Sequence, residues 1–469
     1  MLAKKIALNT IISVAGRVLS TGLALVSIGL LTRSLSRADW GEYSIMLTFG
    51  GIFAVLADLG LYQYLVREIS REGADEREIA SQVFSFRLAA SLLIFGAAPL
   101  VSLAFPYSAQ ARWGIVIGMA GFWFLSGAQV LMGIFQKHLR MEKVALAELA
   151  GRLIQLGLIW LAIELQLGFY AIVATFVLSA AINFLLVWLM ARWRVGLHLS
   201  FDWPYWQKIF SVSYPLAISG VLTMIYFSTD SLILSIFWPA ETVGAYRLPY
   251  KILESLIFFP AMFVGLIMPV LSKTAFNDRA KFKQVFQKAN DILVMLALPL
   301  VAGTFFVSPQ IVDLLGGGNY PEAAVILNLL MLAVGVIFFG SLFSFGLIAL
   351  EGQKKLLRIS AWGAIFNLAA NFILIPKFSY WAAAATTVLT ELLVTILMLA
   401  AIKKISQFRP SFSVLNRVLL ALLPMAAFLF YFQQSNFVFL ISGGGLIYLA
   451  ALYLTGAISL GEIKELIKK

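Results

Sequence analysis

The chain has 469 residues, of which 61% are hydrophobic and 12% are charged, and its formal net charge is +12. Soluble domains have about 45–50% apolar and about 25% charged residues, so this composition excludes a soluble fold and predicts an all-α integral membrane protein. The sequence has no cysteine, which excludes disulfides, cysteine-ligated metals and thiol nucleophiles.

Fourteen apolar runs along the chain are long enough to cross a membrane. A spanning helix needs about 20 largely apolar residues, because each residue rises about 1.5 Å through about 30 Å of hydrocarbon. The predicted spans are 9–31, 42–64, 82–104, 113–135, 145–165, 168–191, 209–236, 243–268, 290–313, 323–350, 357–376, 380–402, 413–432 and 436–457.

The distribution of basic residues supports this number of spans. When the N-terminus is placed in the cytoplasm, the cytoplasmic segments hold 26 of the 35 Lys and Arg residues, the outer loops hold 4 and the spans hold 5. A missed span would invert every later loop and mix the two classes. We therefore predict fourteen spans with both termini cytoplasmic. The positive net charge then faces the membrane surface and does not indicate a nucleic-acid partner.

Two cytoplasmic connectors have an amphipathic pattern. Around 274–289, Phe282 and Phe286 lie among basic residues, and around 201–210, Trp203 and Trp206 flank Lys208. Both patterns predict helices that lie in the membrane interface.

An internal repeat relates the first six spans to the next six. Gly41-Glu42-Tyr43 opens span two, and Gly244-Ala245-Tyr246 opens span eight. A second similarity joins residues 168–175 to residues 379–386 at nearly the same offset. This repeat predicts two parallel six-helix lobes, residues 1–195 and 196–405, followed by two further spans and a cytoplasmic tail in residues 406–469. Such repeats are typical of transporters that work by alternating access.

Several degenerate motifs resemble the polysaccharide-transporter branch, with its Wzx-type flippases, of the multidrug/oligosaccharidyl-lipid/polysaccharide (MOP) exporter superfamily. The motifs are Leu-Thr-Arg-Ser-Leu at 31–35, Gly-Glu-Tyr at 41–43, Leu-Ala-Asp-Leu-Gly-Leu at 56–61, Arg-Glu at 67–68, Asp230, Val-Gly-Ala-Tyr at 243–246, Pro-Val-Leu-Ser at 269–272, Asn367, Asn371, and Ile-Leu-Ile-Pro-Lys at 373–377 leading into 382–386. Ser379 and Trp381 stand where the family usually has glycines.

The resemblance implies a fold and a function. It implies a MATE-like, V-shaped arrangement of two lobes in the cell membrane. The implied substrate is an oligosaccharide on a polyprenyl diphosphate, moved from the cytoplasmic to the outer leaflet for O-antigen, capsule or exopolysaccharide synthesis. It implies no enzymatic activity and no cofactor. H⁺ or Na⁺ are the candidate coupling ions, and other membrane proteins of polysaccharide assembly are candidate partners.

Charged side chains within the spans are the candidate functional residues. Each costs at least about 2.5–3.5 kcal/mol at the bilayer centre unless it faces protein or water. A diphosphate group that leaves the interface needs charge-assisted donors, and arginine provides them bidentately. The candidate substrate-binding residues are Arg17, Arg152, Arg247 and Lys251. The candidates for binding a coupling ion are Asp230, Glu254 and Asp58, and no metal site is predicted.

Other roles for these residues stay open at this stage. Glu148 and Arg152 are spaced as an intrahelical ion pair, and Arg87 is close enough to the interface to snorkel. Asp58 is also placed to bind a helix end, while Asp230 and Glu254 are placed to neutralise Arg247 and Lys251. Asn367 and Asn371 fit interhelical hydrogen bonds. Polar side chains share a face with Arg17 in span one and with Asp230 in span seven, namely Asn9, Ser13, Thr21, Ser219, Thr223 and Tyr226.

Three alternative functions compete with this hypothesis. A multidrug exporter of the same superfamily typically has twelve spans and acidic cavities, which fits paired basic residues less well. The sequence does little to distinguish the proposed function from that of a peptidoglycan-precursor flippase. A membrane enzyme of glycan assembly, either a polymerase or an acyltransferase, is disfavoured because the chain has no large external loop and no histidine within a span.

Overall fold

The computed structural model describes residues 2–408, 410–411 and 413–457, and for residues 2–14 and 215–228 it describes the helical path alone. The predicted polar side chains Asn9, Ser13, Ser219, Thr223 and Tyr226 therefore lie outside the described side chains, as does the end of the predicted tail at 458–469. Within the described residues the chain forms α1 (Leu2–Ser34), α2 (Arg37–Asp58), α3 (Leu61–Ile69), α4 (Glu76–Ser102), α5 (Ala109–Lys137), α6 (Met141–Glu164), α7 (Phe169–Val195), α8 (Trp203–Phe237), α9 (Ala240–Leu256), α10 (Phe258–Asn277), α11 (Arg279–Gly316), α12 (Glu322–Ala349), α13 (Gln353–Ser406), α14 (Ser413–Tyr431) and α15 (Phe437–Leu454).

These helices correspond to the fourteen predicted spans. Span two consists of α2 and α3, and span eight consists of α9 and α10. Twelve helical segments among the described residues are long and apolar enough to cross a membrane. One of them, α13, is 54 residues long and contains two spans. The 35-residue α8 provides the remaining span. The fold class, an all-α membrane protein of fourteen spans, is confirmed.

Span two is broken at the Asp-Leu-Gly motif. Leu59 and Gly60 have φ values of 48° and 68°, which place both residues in the left-handed region. This conformation ends α2, and α3 begins at the next residue. Glycine adopts this conformation without a Cβ clash, which explains why a glycine suits position 60 of the motif.

A second backbone reversal divides α13 into spans eleven and twelve. A continuous helix of this length would extend about 80 Å, far beyond the hydrocarbon layer, so the chain must turn. The turn is at Ser379, with φ 55° and ψ −140°. L-residues rarely adopt this conformation. The departure from glycine at this position therefore leaves strain in the backbone.

The helices form two units, Met1–Arg247 and Leu248–Lys469. In the first unit, α5 packs against α2, α4 and α7, and α6 packs against α1 and α7. In the second unit, α12 packs against α10, α11 and α13, while α14 and α15 pack against each other and against α11. The lobe boundaries at residues 195 and 405 stay predictions.

The connector around 274–289 does not form a separate interfacial helix. α10 continues to Asn277 and α11 begins at Arg279, with Asp278 accepting a hydrogen bond from Lys281 N at 2.9 Å. Phe282 and Phe286 are buried, and the Phe286 ring stacks on the Phe343 ring. The aromatic face of this segment packs into the protein core because α11 extends without interruption into its span.

The connector between α7 and α8, residues 196–202, is here called the linker strap. It runs without helical structure along α4. The backbone N–H of His198 donates to Ser81 Oγ at 3.2 Å, and that of Ser200 donates to Ser85 Oγ at 2.9 Å. Residues two apart in an extended chain are separated by about 6.6 Å, and residues four apart on a helix rise about 6 Å. The hydroxyls on α4 therefore match the spacing of the strap amides.

The segment around 201–210 is also part of a longer helix. Trp203 is the first residue of α8 and is exposed, as expected for an interfacial side chain. Trp206 is instead buried, and its indole N–H donates to Gln82 Oε1 at 3.1 Å. The prediction of a separate interfacial helix was wrong, because one face of this segment packs on α4.

Candidate functional site

Arg17 and Glu148 form an ion pair between α1 and α6. Arg17 Nη1 lies 3.6 Å from Glu148 Oε1, and their side chains are 53% and 25% exposed. The two helices approach closely one position earlier, since a Cβ on Gly16 would lie 2.8 Å from Ala145 Cβ. This contact fixes the register that brings Arg17 beside Glu148. The structure thus pairs Glu148 with α1, whereas the sequence suggested Arg152 in its own helix.

Arg152 lies one turn beyond Glu148 on α6, about 16 Å along the helix from Met141. Its guanidinium is partly exposed and donates to Gln155 Oε1 at 3.4 Å. Glu148 is paired with Arg17 and lies one helical turn from Arg152. These three residues, two with guanidinium groups and one with a carboxylate, are here called the arginine cluster.

Arg87 has a different environment. Its side chain is 1% exposed. It donates to Ala57 O at 2.5 Å, to Asp58 Oδ1 at 3.2 Å, to Ser126 O at 3.3 Å and to Gln129 Oε1 at 3.1 Å. The snorkelling interpretation was wrong, because this guanidinium is enclosed and binds the end of α2 at the break in span two. Asp58 is the carboxylate partner of this helix end.

Asp230 is enclosed in the first unit. Tyr246 Oη donates to Asp230 Oδ2 at 2.5 Å, and the Ser231 N–H donates to Asp230 Oδ1 at 2.6 Å. Arg247 is buried and interacts electrostatically with Asp230. The structure therefore brings two of the predicted site residues, Asp230 and Arg247, together. The Tyr246 hydroxyl was missed in the sequence, where Tyr246 appeared only as part of a repeat.

The two Gly-x-Tyr repeats contact each other in the first unit. A Cβ on Gly41 would lie 1.9 Å from Ala240 O, and a Cβ on Gly244 would lie 3.2 Å from Gly41 Cα. The Trp40 indole N–H donates to Gly244 O at 3.0 Å. The start of α2 therefore packs backbone to backbone against the start of α9.

A tyrosine from the α4–α5 connector supports α8 near this contact. Tyr107 Oη lies 2.9 Å from Ser235 Oγ, and Ser235 Oγ donates to Leu232 O at 2.7 Å. Tyr107 is therefore the donor to Ser235. Burial raises the pKa of Tyr107 to about 12, so its hydroxyl keeps this proton at physiological pH.

The second unit contains the other predicted charges and the asparagines. Lys251 Nζ donates to Glu254 Oε2 at 2.6 Å, so these two residues form a local ion pair on α9. Asn367 Nδ2 donates to Thr390 Oγ1 at 3.3 Å, and Asn371 Nδ2 donates to Asn367 Oδ1 at 3.0 Å. The asparagines join spans eleven and twelve, as predicted for interhelical hydrogen bonds.

Comparison with known proteins gives a family match and several relatives. The family model described as "Polysaccharide biosynthesis protein" matches residues 30–325. The probable low-salt glycan biosynthesis flippase Agl15 of Haloferax volcanii is 22% identical over 422 residues, which cover 89% of this chain and 87% of that protein. The succinoglycan biosynthesis transport protein ExoT of Rhizobium meliloti is 20% identical over 347 residues, which cover 71% of this chain and 67% of that protein.

Solved structures share the fold at low sequence identity. The lipid II flippase MurJ in an inward closed conformation superposes with a TM-score of 0.76 and 16% identity, covering 96% of this chain and 98% of that chain. An inward-facing multidrug resistance transporter of the MATE family, within the MOP superfamily, superposes with a TM-score of 0.66 and 16% identity, covering 85% of this chain and 98% of that chain. The chain therefore has the MATE-like and MurJ-like fold.

Proposed function

Because the chain belongs to the polysaccharide biosynthesis protein family, we propose that it is a flippase for polyprenyl-diphosphate-linked oligosaccharide. It moves this lipid from the cytoplasmic to the outer leaflet of the cell membrane for surface polysaccharide synthesis. The relatives named as a glycan biosynthesis flippase and a succinoglycan transport protein support this substrate class. Transport proceeds by alternating access and includes no covalent step on the substrate.

The arginine cluster is the observation that carries the proposed site. Arg17 and Arg152 are accessible guanidinium groups within the spans, whereas Arg87 is enclosed by its four acceptors. A diphosphate headgroup offers oxygen atoms that match the fork of donors on each guanidinium. We assign Arg17 and Arg152 to the headgroup in the half of the membrane nearer the cytoplasm. Arg247 and Lys251 remain candidates for contacting it at a later stage of transport.

Orientation and energy coupling are further parts of the proposal. The excess of Lys and Arg in alternate loops supports an orientation with both termini in the cytoplasm. An H⁺ or Na⁺ gradient drives the cycle. The carboxylate candidates Asp58, Asp230 and Glu254 each have a bonded partner in this conformation, so ion uptake at any of them requires that partner to move.

The test is transport in proteoliposomes. A fluorescent polyprenyl-diphosphate oligosaccharide is loaded on one side, and its exposure in the opposite leaflet is followed with and without an imposed H⁺ or Na⁺ gradient. We expect gradient-dependent exposure that is lost in Arg17→Ala. The matched control is Arg71→Ala, which removes an exposed guanidinium from the α3–α4 connector. Transport that is equal in Arg17→Ala and wild type, with both correctly inserted, would refute the site.

The substrate class has its own control. The same vesicles are loaded with a cationic dye in place of the lipid. Efflux of the dye, together with no flipping of any diphosphate-linked sugar, would identify the chain as a multidrug exporter and refute the proposed function.

A further inference from the structure

The contact between Arg17 and Glu148 is longer and more accessible than that between Arg87 and Asp58. Its atoms are 3.6 Å apart, whereas those of Arg87 and Asp58 are 3.2 Å apart with the guanidinium fully enclosed. Charge-assisted hydrogen bonds between nitrogen and carboxylate oxygen are usually about 2.7–2.9 Å long. Glu148 therefore acts on Arg17 mainly through its charge.

The backbones that carry this pair are held in place. Gly16 and Ala145 are already at closest approach. On its other side, α6 is held to α7, since Ser179 Oγ donates to Gly151 O at 3.0 Å. Rotation of the Arg17 or Glu148 side chain is therefore sufficient for a change of partner at Arg17, without a shift of α1 along α6.

The charges of the arginine cluster are unequal. Two guanidinium groups, Arg17 and Arg152, accompany one carboxylate, Glu148. A cluster of this composition is partly neutralised when it is empty, and it binds an anion most strongly once that carboxylate is displaced. A diphosphate carries negative charge on both of its phosphates, so it is able to replace Glu148 at Arg17 while Arg152 contacts its other end.

We propose that Glu148 is a resident counter-ion that competes with the diphosphate headgroup for Arg17, and that this competition sets substrate affinity and release. The inference rests on the proposed function. Before binding, Glu148 lowers the cost of holding two cations within the membrane. During binding, the headgroup displaces it. At release, Glu148 recovers Arg17 and prevents the headgroup from remaining bound. Glu148 is thus a positioning residue for Arg17 that needs no contact with the substrate.

Removing the charge of Glu148 should strengthen binding and slow release. For the Glu148→Gln variant we expect a dissociation constant about fivefold lower than wild type, the effect of losing one partly exposed charge interaction of about 1 kcal/mol. Both KM and the maximal transport rate should fall, because a headgroup that is held more tightly leaves more slowly. Glu148→Asp keeps the carboxylate and should bind nearly as wild type.

The binding test uses the full chain in detergent and a short prenyl diphosphate as the probe, with the corresponding prenyl alcohol as the uncharged control ligand. Glu164→Gln is the matched control variant, because it removes a carboxylate from the exposed far end of the same helix. We expect tighter binding in Glu148→Gln and no change in Glu164→Gln. If Glu148→Gln cannot be purified as folded protein, Glu148→Ala removes the same charge and provides the same comparison.

The outcomes separate this inference from the function on which it rests. Wild-type protein that binds the prenyl diphosphate no better than the alcohol contradicts the proposed function. Wild-type protein that binds the diphosphate, together with a folded Glu148→Gln variant that binds it equally or more weakly, overturns the counter-ion role alone. A purely structural role for Glu148 would lower the melting temperature and the transport rate without lowering the dissociation constant.

Discussion

Substituting Gly41 by alanine tests whether the contact between the two Gly-x-Tyr repeats stabilises the first unit. The new Cβ would lie 1.9 Å from Ala240 O, whereas ordinary contact begins at 3.4 Å, so the backbones must separate by the difference, about 1.5 Å. Carbonyl backbone cannot rotate away as a flexible side chain can. Overpacking of this kind costs about 1–3 kcal/mol. The separation also weakens the hydrogen bond from the Trp40 indole to Gly244 O.

The matched control for Gly41→Ala is Gly51→Ala on the same helix. A Cβ on Gly51 would meet nothing within 4 Å. Alanine is favoured over glycine within a helix by about 1 kcal/mol, so this control should melt at or above the wild-type temperature. Gly41→Ala should melt below it, because the clash exceeds the same gain in helix propensity.

Thermal unfolding of the purified full chain measures both variants. A Gly41→Ala protein that melts together with Gly51→Ala would refute the argument, since it would mean that α2 and α9 separate at no cost. The reciprocal variant Gly244→Ala places a Cβ 2.8 Å from a side-chain atom, Trp40 Cδ1, and 3.2 Å from the nearest backbone atoms, those of Gly41. It should therefore have a smaller effect than Gly41→Ala.

Three other features of the structure give predictions. Arg87→Met should destabilise the chain by about 2–4 kcal/mol, because it leaves the buried end of α2 and the partly exposed Asp58 carboxylate without their cation. Arg71→Met, at an exposed guanidinium, should change stability by less than about 1 kcal/mol. Equal melting of the two variants would contradict this role of Arg87. Ser379→Gly should stabilise the chain by about 1 kcal/mol by relieving a positive-φ conformation, and a lower melting temperature would refute that strain. In the double variant Ser85→Cys and Ser200→Cys of this cysteine-free chain, a disulfide should form readily. It should leave transport intact, because the linker strap stays on α4. Transport that stops on oxidation and returns on reduction would show that the strap must detach.

Hydropathy and charge were sufficient to determine the membrane fold from the sequence. Each span is a local property of about 20 residues, and the alternation of Lys and Arg between loops tests the number of spans independently. The break between spans eleven and twelve was predicted within a few residues of Ser379 for the same reason. The Gly-x-Tyr repeat was also visible in the sequence, although nothing there indicated that its two copies pack against each other.

Only the tertiary structure decided the partner of each buried charge. Spacing along one helix suggested Arg152 as the partner of Glu148, but the close approach at Gly16 brings Arg17 to it from α1. Arg87 was expected to reach the interface, but the break after Asp58 leaves acceptors at the end of α2 that the Arg87 side chain satisfies from α4.

The surroundings of the connector around 274–289 were also decided only by the tertiary structure. Phe282 and Phe286 alternate with basic residues as in an interfacial helix, yet they face the protein core. A periodic pattern defines which face of a helix is apolar, and lipid and protein are equally apolar surroundings for that face. Contacts between distant segments decide whether the apolar face meets lipid or protein. Those contacts are a property of the folded chain.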